Sequence, residues 1–371
     1  MRIERVELFT VRLPLKHAYE TSGSRETHQT HIIARVESEG VVGWGESVAP
    51  ERPWYSGETS ETVWYVLDAI ILPQLVGTEL TAPSETAEQL AWIREHRMAK
   101  ATVEMAIWDL AAKQRGVALG TLLGGTRERI LCGVAIGIHP TPEALIETIE
   151  RELVAGYQRV KVKIKPGADG QVAEAIRDRF PKLSFMLDAN SAYTLDDAPL
   201  FRRMDGYHPT MIEQPLGHDD IVDHAALQQQ LATPLCLDES IHSAEDARKA
   251  IALDATRVVN IKPGRVGGFS EAKRIHDLCA LHDIPVWCGG MLEMGIGRAH
   301  NVQLASLPNF RLPGDVAASE RYFETELIGE PFTVGSDGTM AVPTGPGIGV
   351  TVLEDVIRKL SLRTKEYRPA R

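Results

Sequence analysis

The sequence has little of what marks a secreted, membrane or nucleic-acid-binding protein. Its 371 residues include only four cysteines, none in a C-x-x-C pair, which excludes a disulfide scaffold and indicates reduced, buried thiols in a cytoplasmic protein. No apolar run is long enough for a transmembrane helix, and the stretch MRIERVELFTVRLPL lacks the apolar core of a signal peptide. The net charge of −11 disfavours nucleic acid and anionic membranes as partners.

What the sequence does have is enough apolar residues for a large core. Apolar residues make up 43% of the chain and charged residues 25%, which is typical of a globular protein with one large domain and a smaller one. We therefore expect a small molecule, rather than a polymer or a membrane, to be the partner.

Residues 1–127 combine strand and helix patterns. Alternating apolar residues predict strands up to about residue 50, and the polar stretch KHAYETSGSRETHQ between them is predicted to be a mobile loop. Two apolar stripes with helical spacing follow, one ahead of Pro73 and one that ends near Gly116. These patterns indicate an α+β domain.

Residues 128–318 alternate short apolar segments with amphipathic helical stretches, as β/α units around a parallel sheet do. The eight strand candidates are ILCGVAIGI, RVKVKI, SFMLDAN, TMIEQP, PLCLDES, RVVNIKP, IPVWCGG and FRLPGD. They predict an α/β fold with a modified TIM-type barrel as the catalytic domain, although this segment is short for a fold of about 250 residues. Residues 319–371 are expected to pack back on residues 1–127, which would form an α+β capping domain.

A charged residue stands near the end of five consecutive strand candidates. Lys163, Asp188, Glu213, Asp238 and Lys262 are separated by 25, 25, 25 and 24 residues, close to the length of one β/α unit. Because burying an unpaired charge is costly, charges inside apolar strands need a reason. In a parallel barrel these positions meet at the C-terminal mouth, where active sites are built.

The three acidic residues of this series indicate a divalent metal. Carboxylates on neighbouring strands repel one another unless a cation holds them, and oxygen ligands without histidine or cysteine favour Mg²⁺, or another divalent cation such as Mn²⁺, over Zn²⁺. Asp188, Glu213 and Asp238 are the predicted ligands. The competing interpretation is that individual acids cap a following helix, as the sequences DAN and DES would allow.

The second strand candidate, in YQRVKVKIKPG, places Lys161, Lys163 and Lys165 on one face. An exposed edge strand would explain this pattern, since lysines discourage aggregation. In a barrel, Lys163 instead faces Lys262 from four strands away, and a metal-bound carboxylate substrate would have one lysine on each side of its α-carbon. Such lysines need a lowered pKa to accept a proton, and Lys161 would help to stabilise an enolate.

These residues resemble the enolase superfamily, and within it the muconate lactonizing enzyme subgroup. Its members share K-x-K on the second barrel strand, Asp, Glu and Asp on the next three strands and Lys on the sixth. K-x-K matches Lys161 and Lys163, and the last lysine matches Lys262 in VNIKPGRVGG. The segments KIKPG, CGGMLEMGIGRAHN and LPGD most resemble the group of N-succinylamino acid racemases and o-succinylbenzoate synthases.

The resemblance implies two activities for one site. The first is Mg²⁺-dependent racemisation of N-acylamino acids, with N-succinylamino acids as expected substrates, by 1,1-proton transfer between two bases through an enolate. The second is o-succinylbenzoate synthesis, a dehydration in menaquinone biosynthesis. The resemblance also implies a homo-oligomer.

Two hypotheses of a different class also fit a barrel with buried lysines. One is an aldolase-like enzyme that forms a Schiff base on a single lysine, and the three carboxylates disfavour it. The second is a non-catalytic binding protein, which would have no reason to place two lysines opposite each other.

Two positions depart from related patterns. Dipeptide epimerases carry D-x-D on the eighth strand, whereas here Asp315 is followed by Val316 and Ala317, which argues against recognition of a substrate ammonium group. Ala135 stands where relatives often carry serine, so that one hydrogen bond to the substrate is in doubt.

Six residues are predicted to contact the substrate. Tyr19 and Tyr55 would form apolar walls as residues 19–24 and the segment PERPWYSG close over the barrel mouth, although aromatic residues of a small domain also serve as core. Gly290 and Met291 would offer backbone contacts, because glycine permits close approach. The remaining two predicted contacts are Ala135 and Asn190.

Overall fold

The computed structural model describes residues 1–167, 169 and 171–369. Its strands are β1 (Arg5–Glu20), β2 (Arg25–Ser38), β3 (Val41–Ser47), β4 (Arg129–Leu131), β5 (Gly133–Ile136), β6 (Arg159–Lys163), β7 (Ser184–Asp188), β8 (Ile212–Glu213), β9 (Leu235–Leu237), β10 (Val258–Ile261), β11 (Val286–Cys288), β12 (Thr339–Ala341) and β13 (Ser361–Tyr367). Its α-helices are α1 (Ser60–Val66), α2 (Leu72–Leu75), α3 (Glu85–Gln89), α4 (Arg97–Gln114), α5 (Leu119–Leu123), α6 (Pro142–Val154), α7 (Val172–Arg179), α8 (Ala198–Asp205), α9 (Val222–Gln228), α10 (Ala244–Ala252), α11 (Pro263–Val266), α12 (Phe269–Leu281), α13 (Gly295–Ala305) and α14 (Glu354–Leu360).

An antiparallel sheet in the order β13-β1-β2-β3 carries the first part of the chain. The prediction of a mobile loop between β1 and β2 is wrong, because both strands continue through the polar stretch and leave only residues 21–24 as a tip. Tyr19 pairs with Glu26 and Glu20 with Arg25, after an irregularity that begins at Pro14. Backbone pairing does not require apolar side chains, and the Glu20 carbonyl also accepts a hydrogen bond of 3.1 Å from the Ile138 N–H on the barrel.

Helix α4 packs directly on β3, where glycine makes the close approach possible. A Cβ atom at Gly43 would lie 2.1 Å from the Ala106 carbonyl oxygen, and one at Gly45 would lie 1.9 Å from that of Thr102. The first apolar stripe lies ahead of Pro73 as predicted, and the helix continues past the proline. A π-helical turn (Leu67–Ile71) leads into α2, whose first turn contains the proline. Pro73 has no N–H to donate, and the change from π-helical to α-helical hydrogen bonding occurs next to it.

A parallel sheet in the order β5-β6-β7-β8-β9-β10-β11 forms the barrel wall, so that consecutive strands are neighbours as the repeat predicts. The eighth segment closes the ring without forming a regular strand. Phe310 bridges to Val286 in β11, and Gly314 bridges to Cys132 next to β5, both in the parallel sense. The first strand candidate is divided, because β4 pairs with β12 and only β5 belongs to the barrel. The predicted fold, an α/β barrel of modified TIM type with an α+β cap, is confirmed.

The C-terminal segment returns to the first sheet. Strand β13 pairs with β1 in antiparallel register, from Val6 opposite Tyr367 to Val11 opposite Ser361. The division into residues 1–127, 128–318 and 319–371 stays a prediction. All four cysteines are buried free thiols, and within the described residues no helix is long and apolar enough to cross a bilayer.

Candidate active site

Two of the three lysines on the second barrel strand enter the barrel mouth and the third does not. Lys161 and Lys163 are 3% and 7% exposed, and β6 lies between β5 and β7, so the interpretation as an edge strand is wrong. Lys165 lies beyond the end of the strand, and its ammonium group is 3.0 Å from a carboxylate oxygen of Glu20 at the end of β1. Of the three lysines that alternate along this segment, only Lys161 and Lys163 therefore belong to the site.

The ammonium group of Lys161 contacts three carboxylates. Its Nζ lies 2.8 Å from Asp188 Oδ2, 2.8 Å from Glu213 Oε2 and 2.9 Å from Asp315 Oδ2. Asp188 and Glu213 end the neighbouring strands β7 and β8, so the parallel register brings their carboxylates to one cation. Asn260 on β10 donates a hydrogen bond of 2.8 Å from Nδ2 to Glu213 Oε1. This arrangement fixes the central carboxylate from two sides.

Lys163 and Lys262 have separate counter-charges. Lys163 Nζ lies 2.6 Å from Asp188 Oδ2 and donates to Asn190 Oδ1 at 2.6 Å. Lys262 follows β10, and its Nζ lies 2.8 Å from Asp238 Oδ2. Because β6 and β10 are four strands apart, the two ammonium groups approach the mouth from different sides of the barrel.

Asp238, like Asp188, has two cationic side chains and one hydrogen-bond donor as partners. Besides Lys262, the guanidinium of Arg265 contacts its Oδ1, and the Tyr55 hydroxyl donates to the same oxygen at 2.9 Å. The Tyr55 oxygen also accepts from Lys262 Nζ at 3.1 Å. Tyr55 precedes α1, so the cap supplies a polar partner for a barrel lysine.

The charges of the site shift the pKa of each lysine upward. Burial by itself lowers the pKa of Lys163, but the negative charge of Asp188 outweighs burial and raises the pKa above its ordinary value. The same balance, with Asp238 as the counter-charge, raises the pKa of Lys262. In this arrangement carboxylates surround each ammonium group and raise its pKa. The lowering expected from burial, Lys161 and the charge of a metal stays a prediction.

The pKa values of two acids of the site, Asp188 and Glu213, shift in opposite directions. Burial raises the pKa of Asp188, but Lys161 and Lys163 outweigh it and hold that pKa far below its usual range. Burial and the neighbouring charge of Asp188 together raise the pKa of Glu213. The site thus contains carboxylates that differ in their proton affinity because they differ in the number of cations beside them.

The donor chemistry of the three predicted ligands fits a hard divalent cation. Asp188, Glu213 and Asp238 are fully buried and offer only carboxylate oxygens, and two of them already converge on one positive charge, the Lys161 ammonium. Side-chain cations lie between these acids, and within the described residues no group of three His, Cys, Asp or Glu is drawn together as a ready ligand set. A metal would take the place of these internal cations. The side-chain hydrogen bonds of the three acids do not support the helix-capping interpretation.

All six predicted substrate contacts line one cavity at the barrel mouth, together with the three site lysines. Burial raises the pKa of the Tyr19 hydroxyl to about 12, so that it stays protonated. The tip of the β1–β2 hairpin lies against this cavity, where the Ser22 hydroxyl donates to the Asn190 carbonyl at 3.3 Å. The cavity also includes residues that the sequence analysis did not predict as contacts: Gln29, Val48, Leu292, Glu293, Asp315 and Tyr322.

Sequence reasoning missed several residues that hold the site together. Asp315 ends the eighth strand candidate and was considered only because the D-x-D motif is incomplete at this position. An acid at the end of a barrel strand is nevertheless itself a sign of a site residue. Arg265 stands three residues after Lys262, and Glu239 directly follows Asp238. Their proximity to predicted site residues is the only sign that the sequence offers.

Family models match both parts of the chain. Residues 3–124 match the N-terminal domain of mandelate racemase and muconate lactonizing enzyme, and residues 144–356 match the enolase C-terminal domain-like family. The chain belongs to the enolase superfamily. Members of the superfamily generally use a divalent metal, and this chain is an enzyme of that superfamily.

Relatives of this superfamily member carry two names. The chain is 51% identical over 353 residues to an o-succinylbenzoate synthase of Geobacillus kaustophilus, covering 95% of this chain and 94% of the relative. It is 46% identical over 362 residues to an N-succinylamino acid racemase of Thermus thermophilus, covering 98% of each. A crystal structure of an enolase superfamily member from Listeria innocua matches with a TM-score of 0.95 at 41% identity, covering 99% of both chains. The predicted family is therefore confirmed, and both names are represented among its relatives.

Proposed function

We propose that this enzyme racemises N-acylamino acids, with N-succinylamino acids as substrates, by proton transfer between two lysines, and that the same site supports o-succinylbenzoate synthesis. The observation that carries the proposal is the separation of Lys163 and Lys262. Both line one cavity, they come from strands on different sides of the barrel, and each has its own carboxylate. Two groups placed in this way can serve opposite faces of one carbon.

Asp188, Glu213 and Asp238 would hold the divalent metal, for which we propose Mg²⁺, with Mn²⁺ as a substitute. The metal would bind the substrate carboxylate and stabilise the negative charge that develops on it. With a metal held by Asp188 and Asp238, these carboxylates would attract the two ammonium groups less. The pKa values of Lys163 and Lys262 would then be lower, so that one lysine could accept a proton while the other donates one.

Lys161 has a different role in this proposal. Burial lowers its pKa, but Asp188, Asp315 and Glu213 outweigh burial and raise the pKa well above its ordinary value. Asp315 lies outside the proposed ligand set, 2.9 Å from Lys161 Nζ, so Lys161 would keep this counter-charge with a metal bound. We therefore propose that it stays positively charged and stabilises the enolate by its charge rather than acting as a base. The aromatic walls from Tyr19 and Tyr55, the backbone of Gly290 and Met291, Ala135 and the Asn190 amide would bind the substrate around this centre.

The second activity has equal support from the names of the relatives. In o-succinylbenzoate synthesis Lys163 would remove a proton and then assist loss of the hydroxyl group, while Lys262 would only stabilise the intermediate by its charge. The small-molecule carboxylate is the shared feature of both substrates. A cytoplasmic location and a homo-oligomeric state stay predictions.

The test compares Lys163→Ala and Lys262→Ala in both reactions, with Lys165→Ala as the matched control from the same lysine run. We expect each site variant to lose racemisation, because inversion needs removal of a proton on one face and delivery on the other. Dehydration should disappear in Lys163→Ala and persist in part in Lys262→Ala. Lys165→Ala should retain both activities.

Substantial racemisation by either site variant would refute the two-base proposal. Absence of racemisation in the wild-type enzyme, with efficient dehydration, would assign the synthase activity alone. The ratio of the two catalytic efficiencies in the wild type, measured over a series of N-succinylamino acids, then ranks the two activities.

A further inference from the structure

We infer that Glu239 is a positioning residue for Lys163, acting through the side-chain amide of Asn190; the inference rests on the proposed two-base function. Glu239 is 4% exposed and directly follows Asp238 at the end of β9. Its Oε1 accepts a hydrogen bond of 2.9 Å from Asn190 Nδ2. The other end of the same amide, Oδ1, accepts from Lys163 Nζ at 2.6 Å. A continuous chain of two hydrogen bonds therefore links Glu239 to one of the two bases.

The chemistry of the amide gives this chain a direction. A side-chain amide has an acceptor end and a donor end of similar size, whereas a carboxylate can only accept and an ammonium can only donate. Glu239 therefore holds the Nδ2 end, and the Oδ1 end must face Lys163. Without an acceptor at position 239, the amide could rotate and present its NH₂ group to the ammonium, which removes the hydrogen bond that orients Lys163.

The backbone supports the same placement. Asn190 has a positive φ of 43°, and its N–H donates to Asp188 Oδ1 at 3.0 Å. From this turn the Asn190 side chain reaches both Lys163 at the end of β6 and Glu239 after β9. Among the described residues Glu239 Oε2 has no hydrogen-bond partner, and Oε1 bonds the Asn190 amide, so the carboxylate has no helix or backbone donor to stabilise. The hydrogen bonds of Glu239 therefore indicate one role, which is to hold the Asn190 amide.

Lys262 is held differently. Its polar partner besides Asp238 is the Tyr55 hydroxyl at 3.1 Å, which comes from the cap. The two bases thus have separate positioning groups, an amide and carboxylate within the barrel for Lys163 and a phenol for Lys262. The charge of Glu239 also raises the pKa of Lys262, a minor effect that acts through space and does not depend on the amide. A test must separate charge from position.

The experiment measures exchange of the α-proton for deuterium in each enantiomer of an N-succinylamino acid, for the wild type, Glu239→Leu and Glu239→Gln. Residual exchange by Lys163→Ala and Lys262→Ala assigns each enantiomer to one lysine. Gln removes the charge but keeps an acceptor for Asn190 Nδ2, whereas Leu removes both. We expect Leu to slow exchange of the Lys163 enantiomer about tenfold more than Gln does, since misplaced catalytic groups cost up to about 100-fold. The other enantiomer should respond equally to both variants.

Asn190→Ala provides a second route if Glu239→Leu does not fold. It breaks the same chain from the other end. Because Asn190 also lines the substrate cavity, exchange of both enantiomers should slow, with the larger loss on the Lys163 enantiomer, and adding Glu239→Gln should cause no further loss on that side. Tyr55→Phe serves as the counterpart and should slow the Lys262 enantiomer more.

Equal effects of Leu and Gln on both enantiomers, or a larger loss on the Lys262 side, would overturn the positioning role while the two-base function stands. Failure of the wild type to exchange either enantiomer would overturn both proposals together.

Discussion

Two regions of this molecule that contain buried carboxylates, the barrel mouth and the contact between the capping domain and the barrel, differ in the partners of those carboxylates. At the mouth, Asp188 and Asp238 face lysine and arginine side chains. At the contact, Glu104 on α4 accepts from the backbone N–H groups of Phe269 (2.7 Å) and Ser270 (2.9 Å), at the start of α12. One type of group, a buried carboxylate, therefore serves two purposes.

Glu46 at the end of β3 repeats the second pattern. It accepts from the N–H groups of Met294 (2.8 Å) and Gly297 (2.7 Å) at the start of α13. Carboxylates are favourable at helix N-termini because they satisfy free N–H groups and complement the helix dipole. Backbone donors cannot be displaced without unwinding the helix, whereas a lysine side chain can move away. The hydrogen bonds at the contact are therefore expected to persist, whereas in the proposed function a metal and a substrate would replace the lysine partners at the mouth.

The largest effect should come from Asp188→Asn at the mouth. We expect catalytic efficiency to fall by at least about 1,000-fold, because metal binding supplies several kcal/mol of transition-state stabilisation. The fold should persist, with a melting temperature within about 5 °C of the wild type. Steady-state kinetics and thermal unfolding check this, and a chelator should abolish turnover reversibly.

Asp219→Asn, which changes an exposed acid on the loop after β8, is the matched control and should retain full activity. Full activity of Asp188→Asn, or of the wild type in excess chelator, would contradict a metal held by these acids.

In contrast to Asp188→Asn, Glu104→Leu should lower stability and leave activity nearly unchanged. It removes the acceptor of the Phe269 and Ser270 N–H groups and leaves Trp108 Nε1 only the Ser270 hydroxyl at 3.3 Å. We expect the free energy of unfolding to fall by about 2 to 4 kcal/mol. Activity per folded molecule should change little, because these groups are not among the residues that line the barrel-mouth cavity. Chemical denaturation and kinetics at a temperature where the variant is folded measure the two quantities.

Glu104→Gln keeps one acceptor oxygen and should lie between the wild type and Leu. Glu147→Gln, at an exposed position of α6, controls for loss of a helical charge. Unchanged stability of Glu104→Leu would show that the contact does not depend on this carboxylate.

The smallest effect concerns Glu58, which caps the start of α4 by accepting from the Met98 N–H at 2.6 Å. Burial nevertheless raises its pKa from 4.5 to about 7. The folded state thus binds this proton more tightly than the unfolded state, so its contribution to stability is present below pH 4.5 and is lost as the pH rises through about 7. Glu58→Gln should remove that part of the pH dependence, as measured by denaturant unfolding at several pH values. If the pH dependence of the free energy of unfolding were the same in Glu58→Gln and the wild type, the backbone hydrogen bonds would offset the effect of burial on this pKa.

Much of the site could be predicted because its geometry follows from the repeat. Charged residues about 25 positions apart fall at the same end of successive parallel strands, and strand alternation turns Lys161 and Lys163 to the same side. The three acids, the two opposed lysines and the barrel therefore required no knowledge of packing. The cavity-lining positions Tyr19 and Tyr55 were also predicted, although from a resemblance and not from spacing.

The sequence by itself therefore determined the barrel, the family and the line of charges at its mouth. Only the tertiary structure decided that Lys165 pairs with Glu20, that Tyr55 and Arg265 reach Asp238, and that Asn190 joins Lys163 to Glu239. It also decided that polar strands continue to the hairpin tip and that bridges at Phe310 and Gly314 close the ring. The physical reason is that periodicity fixes which face and which end a residue occupies, whereas partners depend on side-chain conformations and on segments that meet only after the chain has folded.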